Sequence, residues 1–152
     1  RWRFNMKTGQ TTEGHLDDPY YEFGTINHRY GGIRNRYSYS AIPAQGKFLF
    51  TGVAMHDNDS NSIWRIDFGP NRFGSDPAFA PGINATGEND GYVATFITDL
   101  ERDRSEFVLV DASDFEAGPV CQVILPHRFS SGTHSTWAHG EDIRAAQSIR
   151  TG

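Results

Sequence analysis

The chain has 152 residues, with 14 Lys and Arg against 19 Asp and Glu and a net charge of -5. This length suits one ordinary domain with a hydrophobic core of its own. The acidic balance and the scattered basic residues argue against a nucleic-acid surface, because phosphate contacts need clustered Lys and Arg. We therefore expect no nucleic acid among its partners.

The composition favours short strands joined by tight turns, since it includes 16 Gly, 7 Pro and 13% aromatic residues. The apolar runs are far shorter than the roughly 20 residues that span a bilayer, and the first residues do not resemble a signal segment. These features predict a cytoplasmic protein. The lone cysteine, Cys121, stands in the apolar run VCQVIL and is predicted to be a small core residue.

The first half of the chain predicts a series of hairpins. Residues 1–6 and 11–16 form the first, with Gly9 providing the positive φ that its turn needs. The strands RYSYSAI and KFLFTGVAMHD come next, joined by a turn that contains Pro43 and Gly46. The stretch SIWRIDFG then alternates polar and apolar residues, as a half-buried strand does.

The second half begins with residues 69–91, which are rich in Gly, Pro and Asn. This segment is predicted to be mostly loop, with at most a short strand around PAFAP. Three strands follow, YVATFITD, SEFVLVDA and PVCQVILP. Because no stretch keeps the apolar period of a long helix, the sequence predicts an all-β meander, which suits a sandwich, a small barrel or propeller blades.

Three of the six histidines stand in residues 125–140, LPHRFSSGTHSTWAHG. His134 follows the last predicted strand, where it could give one ring nitrogen to a metal while the other donates to a carboxylate. The alternative is a partly buried histidine bonded to the backbone. His127 and His139 have polar neighbours and are predicted to be exposed. No H-x-H or H-E-x-x-H spacing occurs, so the chain holds no common self-contained metal motif.

Two acidic residues are further candidates. Glu22 stands among aromatic residues in YYEFGT, where it either has a buried partner or points to water from an edge strand. Asp76 stands in GSDPAFAP, where it either serves the site or caps its own loop as ordinary turn chemistry.

Three segments in order carry a resemblance to a known family: EFGTINHRYGGIRNRYSYS, GSDPAFAPGINATGENDGYVATFITD and VILPHRFSSGTHSTWA. From Arg1 to about Ala138, the chain resembles the C-terminal part of the carotenoid cleavage oxygenases, and more closely their lignostilbene dioxygenase-like branch. The resemblance implies that residues 1–152 are antiparallel meander blades from the C-terminal part of a seven-bladed β-propeller, with the remaining blades upstream.

The resemblance also implies a site in which four histidines hold Fe(II) at the propeller axis. His134 matches the last of these ligands. Glu22 and Asp76 match carboxylates that accept hydrogen bonds from ligand histidines, although Asp76 stands where many family members have the longer glutamate. His15, His28 and His56 do not match the family's other ligand motifs, so the remaining three ligands are expected upstream of Arg1.

The implied function is a non-haem Fe(II) dioxygenase that uses O2 to cleave a conjugated C=C bond of a small hydrophobic substrate into two carbonyl products. A stilbenoid is the preferred substrate class and a carotenoid or apocarotenoid the next. Some family members associate with membranes, although this sequence has no feature that supports it. With one ligand histidine, this portion is expected to be inactive alone. The alternative is a self-standing β-sandwich module that binds a ligand without catalysis.

Overall fold

The computed structural model describes residues 1–15, 19–130, 132 and 134–150, so the last residue of the predicted first hairpin, Leu16, lies outside this part. The described residues form one α-helix, α1 (Gly140–Arg150), short 3-10 helices at His28–Tyr30 and Phe115–Ala117, and eleven strands. The strands are β1 (Trp2–Phe4), β2 (Thr11–Glu13), β3 (Glu22–Thr25), β4 (Tyr37–Pro43), β5 (Phe50–Asp57), β6 (Ser62–Asp67), β7 (Arg72–Gly74), β8 (Ala78–Pro81), β9 (Gly91–Asp99), β10 (Arg104–Asp111) and β11 (Pro119–Ile124).

The first hairpin forms as predicted. β1 pairs antiparallel with β2, with Trp2 opposite Glu13. Gly9 has φ +71°, which glycine adopts without steric cost. The side-chain oxygen of Asn5 accepts hydrogen bonds from the backbone N–H groups of Lys7 and Thr8, at 3.0 and 3.2 Å. These contacts fix the turn.

The remaining strands form two four-stranded meanders. In the first meander, β3 to β6, each strand pairs antiparallel with the next one in the chain. The second meander, β8 to β11, has the same order. β7 pairs with both β5 and β9 and so joins the meanders into one continuous sheet. Sequential antiparallel order is the pattern of propeller blades. The strands predicted before and after residues 69–91 are confirmed.

Apolar side chains from both meanders build the core. Tyr39 of the first meander stacks on Phe79 of the second, with ring centroids 5.3 Å apart. The cluster around this pair contains Val53, Met55, Phe68, Val93, Ile97, Val108, Val110, Ala112 and Phe115. Burial of these side chains fixes the two meanders against each other and so fixes the relative position of their first strands, β3 and β8.

A buried ionic cluster surrounds β7. The carboxylate of Glu106 is fully buried and is bound by Arg72, by Arg104 Nε at 2.7 Å and by Gln122 Nε2 at 2.5 Å. Burial alone opposes ionisation of Glu106, but the hydrogen bonds from Arg104 and Gln122 and the charge of Arg72 outweigh it and hold the pKa below its ordinary value. The cluster thus ties β7 to β10 and β11.

A second buried acid closes the β5–β6 hairpin. Arg36 Nε and Nη2 donate to the two carboxylate oxygens of Asp57 at 2.9 and 2.6 Å. The backbone N–H groups of Asp59 and Ser60 donate to the same side chain. The Arg36 hydrogen bond, followed by these weaker ones, holds the pKa of Asp57 far below its usual range.

The structure differs from the sequence prediction in two segments. Residues 69–91 are mostly loop and contain the expected short strand β8, but they also contain β7, which was not predicted, and residues 74–80 are buried. The all-β prediction, which placed no long helix, also missed one element, because Gly140–Arg150 forms α1. The fold is therefore mostly β with one short helix. No helix in the described residues is both long and apolar enough to cross a membrane.

Cys121 is exposed, so its prediction as a core residue is wrong. It lies on β11, at one end of the large sheet and exposed along its whole length. Its register partner is Leu109, and the next register pair on the same face, two residues along, joins Phe107 and Val123. This apolar face of the second meander has no covering layer in the described part of the chain, which is why an apolar run did not produce a buried strand.

Candidate functional site

The site begins with the short connection between β7 and β8, which hydrogen bonds hold against β9. The backbone N–H of Ser75 donates to the carbonyl of Phe96 at 2.8 Å, and the Phe96 N–H donates to Ser75 Oγ at 3.2 Å. Thr95 Oγ1 donates to the Ser75 carbonyl at 3.0 Å. Asp76 follows directly and is only 7% exposed. Its position is therefore set by the rigid centre of the second meander.

The segment after β11 carries His134 back to this connection. The N–H of Phe129 donates to Ser105 Oγ at 2.9 Å, which holds the segment at the start of β10. Farther along, Ser135 Oγ donates to the backbone carbonyl of Asp76 at 3.0 Å. The residue next to His134 is thus bound to the residue that faces its ring.

The imidazole of His134 faces the carboxylate of Asp76. Nδ1 lies 3.4 Å from Asp76 Oδ2, and the His134 side chain is 71% exposed. When Nδ1–H donates to the carboxylate, Nε2 keeps a free lone pair in a neutral ring. The second oxygen, Oδ1, is buried and has no hydrogen-bond partner in the described residues. Among the described residues, the contact of the Asp76 carboxylate is therefore with His134.

A phenylalanine of the first meander contacts the same ring. Phe23 packs edge-to-face against His134, with centroids 4.7 Å apart and an interplanar angle of 83°. Aromatic pairs prefer this arrangement to a face-to-face sandwich. His134 thus contacts β3 through Phe23 and the approach to β8 through Asp76, so its ring lies between the first strands of the two meanders.

Glu22 is not brought to His134 by any hydrogen bond or ion pair within the described residues. It is exposed on β3, the strand at the other end of the large sheet, and is paired through its backbone with Ala41. This is the edge-strand arrangement that the sequence left open.

The other histidines lie away from this site. His56 is buried, with Nε2 3.0 Å from Ser40 Oγ and its ring edge-on to Tyr21. A cavity of about 690 Å³ adjoins it and is lined by these three residues rather than by His134. His127 and His139 are exposed, as predicted.

The residues present suit one position of an iron site. A neutral imidazole is a good ligand for Fe(II), and an acid on its other nitrogen fixes its orientation. However, no three His, Cys, Asp or Glu side chains come together as a metal-binding group among residues 1–15, 19–130, 132 and 134–150. The described residues therefore offer one imidazole and its carboxylate contact toward a metal, and not a complete set of ligands.

Sequence reasoning missed Phe23, Ser75 and Ser135 as parts of the site. The two serines could be suspected only from their position beside Asp76 and His134. Phe23 is adjacent to Glu22, and the neighbouring Gly24 hints at irregular backbone at this point. Phe23 contacts His134, which is far along the chain, and no feature of the sequence near Phe23 indicates this contact.

The comparisons with known proteins agree with the sequence resemblance at the level of the family. A profile of the family described as retinal pigment epithelial membrane protein (RPE65) matches residues 1–139. A chloroplastic 9-cis-epoxycarotenoid dioxygenase of Arabidopsis thaliana is 35% identical over 144 residues, which cover 93% of this chain and 24% of that protein. An isoeugenol monooxygenase of Pseudomonas nitroreducens is 25% identical over 149 residues, 90% of this chain and 31% of that protein.

Solved structures agree on the fold. The cobalt-substituted Synechocystis apocarotenoid oxygenase superposes with a TM-score of 0.83 at 22% identity, covering 91% of this chain and 29% of that one. A chimera of apocarotenoid oxygenase and RPE65 gives a TM-score of 0.82 at 21% identity, with the same coverage. The two meanders thus match part of the fold of the apocarotenoid oxygenase.

The chain belongs to the carotenoid cleavage oxygenase (RPE65) family. It spans about a quarter to a third of the length of the relatives it matches.

Proposed function

We propose that this chain is the C-terminal portion of a non-haem Fe(II) dioxygenase that cleaves a conjugated C=C bond with O2 into two carbonyl products. The observation that carries the proposal is the pairing of His134 with Asp76, which leaves Nε2 free to bind a metal. Bound Fe(II) would supply the activation of O2. The three remaining ligand histidines lie outside this sequence.

Each residue of the site has a distinct task in this proposal. Asp76 accepts the Nδ1 proton of His134 and so keeps the ring in the tautomer that can bind iron. Ser135 holds the backbone of this segment at Asp76. Glu22, exposed on β3, accepts the corresponding proton of a ligand histidine from another part of the full-length protein.

Two substrate classes follow from the relatives. The relatives with 30% identity or more that bear a substrate in their names are named for carotenoids, whereas the isoeugenol monooxygenase is named for a phenolic propene. A hydroxystilbene resembles the second in its aryl-conjugated double bond. The proposal therefore includes stilbenoids and apocarotenoids, and one assay decides between them.

The test uses the full-length protein that contains this sequence, loaded with Fe(II) without oxygen and then exposed to O2. A hydroxystilbene and an apocarotenoid are supplied separately, and aldehyde products are identified by mass spectrometry. His134→Ala is expected to lose bound iron and product formation, while His127→Ala, at an exposed position, should retain both. Full iron content and turnover in His134→Ala would refute the role of His134. Failure to cleave either substrate, while a related enzyme does so in the same assay, would refute the reaction.

The alternative of a self-standing β-sandwich module is less well supported. Both meanders have sequential strand order, and the structural match is to propeller enzymes of greater length. The unpaired edges of β3 and β11 would favour association of the isolated chain.

A further inference from the structure

We infer that Phe23 is a positioning residue for His134, holding the imidazole through an edge-to-face contact in addition to the contact with its carboxylate partner. This inference rests on the proposed role of His134 as a metal ligand. It starts from the conformation of Phe23, which has φ +50°. A bulky residue in this left-handed region is uncommon and persists only where the surroundings require it.

The backbone around Phe23 redirects its side chain. In the β3–β4 pairing, Glu22 lies opposite Ala41 while Thr25 lies opposite Tyr39, so β3 has one residue more than β4 between these pairs. Such a bulge interrupts the ladder and turns a side chain away from the regular alternation. At Phe23 the result is an aromatic ring directed at His134.

The ring of Phe23 is itself supported. It packs edge-to-face on Phe50 at 5.4 Å and on Phe48 at 6.1 Å. Phe50 is buried, at 3% exposure, so it anchors this aromatic cluster in the first meander, whereas Phe48 is 70% exposed. These contacts hold the Phe23 ring in place, so that it can limit rotation of the His134 imidazole.

The two contacts on His134 act on different parts of the ring. Asp76 fixes the direction of Nδ1, but a single contact of 3.4 Å leaves the ring free to swing about it. The edge-to-face contact with Phe23 restricts that swing. Because the His134 side chain is 71% exposed, few other groups of this chain limit its rotamer. Together the two contacts aim Nε2 in one direction.

The experiment titrates the metal-free full-length protein with Co(II) and follows the ligand-field absorption of the bound ion. Phe23→Leu is expected to raise the Kd for Co(II) about tenfold, the lower end of the effect of residues that orient ligands, and to alter the absorption bands. Phe48→Leu is the matched control, since it makes the same change in the same cluster at a ring for which the structure shows no contact with His134. Because the buried Phe50 still supports the Phe23 ring in this variant, Phe48→Leu should leave both Kd and bands unchanged.

A second variant separates positioning from folding. Phe23→Gly removes the ring, yet glycine adopts φ +50° without strain. It should keep the melting temperature near that of the wild type while raising the Kd at least as much as Phe23→Leu. Phe23→Tyr keeps an aromatic ring and should restore Kd to within about twofold.

The outcomes separate this inference from the proposed function. If His134→Ala abolishes Co(II) binding while Phe23→Leu and Phe23→Gly bind as the wild type does, the inference is overturned and the ligand role of His134 stands. An equal rise of Kd in Phe48→Leu also overturns it, because cluster packing would then explain the effect. If His134→Ala keeps the wild-type Kd and bands, the ligand role fails and the inference fails with it.

Discussion

Replacement of Asp76 by asparagine is expected to change metal binding and stability in opposite directions. The amide can donate through Nδ2–H to Nδ1 of His134, which moves the ring proton to Nε2 and removes the lone pair that a metal needs. Loss of a partner that orients a ligand histidine typically weakens metal binding by about 10- to 100-fold, or about 1.4 to 2.8 kcal/mol.

The same change removes a buried charge from the metal-free protein. Asp76 Oδ1 is buried without a hydrogen-bond partner in the described residues, and an unsatisfied buried polar atom costs about 1 to 3 kcal/mol. An amide also leaves one buried polar atom without a partner, but that atom carries no charge and costs less to bury, so Asp76→Asn should equal or exceed the wild type in thermal stability before metal is added. This combination is typical of residues kept for function at some cost in stability.

Isothermal titration with Co(II) and thermal melts of the metal-free full-length protein measure the two effects. Asp59→Asn is the control, because Asp59 lies at an exposed hairpin and its ion pair with Arg34 is solvent-exposed. Asp76→Glu tests the geometry, since the 3.4 Å contact is longer than the roughly 2.7 to 2.9 Å of a charge-assisted hydrogen bond. The longer acid should bind metal at least as well as the wild type. Unchanged affinity in Asp76→Asn would refute the reasoning.

Three further predictions concern stability and accessibility. Arg72→Met should lower the free energy of unfolding, measured in urea, by about 3 kcal/mol, because Glu106 stays buried without one of its cations. Arg34→Met, at an exposed ion pair, should change this free energy by less than about 0.5 kcal/mol. Equal effects of the two substitutions would contradict the role of the buried network. The lowered pKa of Asp57 gives stability that is present above the unfolded-state pKa of about 3.9 and is lost as the pH falls toward the folded-state value. The difference in melting temperature between the wild type and Asp57→Asn should therefore narrow below about pH 4. A difference that stays constant with pH would contradict this linkage. Cys121 should react rapidly with a maleimide in the 152-residue chain, where it is exposed. The proposal that this chain is part of a longer propeller predicts a slower reaction in the full-length protein, and equal rates would count against it.

Local turn chemistry made the hairpins predictable. Gly9 and Gly46 both have φ near +70°, which glycine favours, and the strands on either side alternate in hydrophobicity as half-buried strands do. These features depend on neighbours in sequence. They therefore need no knowledge of the rest of the fold.

The missed elements depend on distant partners. β7 is a three-residue strand ending in Gly74, and it exists because β5 and β9 provide hydrogen-bonding edges on its two sides. α1 has acidic residues in its first turn, but the side chains of residues 140–149 are exposed and no apolar stripe marks the helix, so periodicity could not reveal it. The reading of Cys121 as core assumed a covering layer that these residues do not supply.

The candidate site was predictable only through resemblance. His134 and Asp76 are separated by 58 positions, and no spacing rule connects them. The resemblance named both residues and also Glu22, whereas the structure pairs the first two and leaves Glu22 at the edge of β3. The contact with Phe23 depends on a backbone bulge, which the sequence does not reveal.

One three-residue strand sets the alignment of the two halves of this chain. Since β7 is hydrogen-bonded to both meanders, any slip at Arg72–Gly74 would change the distance between Phe23 and Asp76. The imidazole of His134 touches both of these residues. A shift of one meander against the other would therefore change the orientation of this ring.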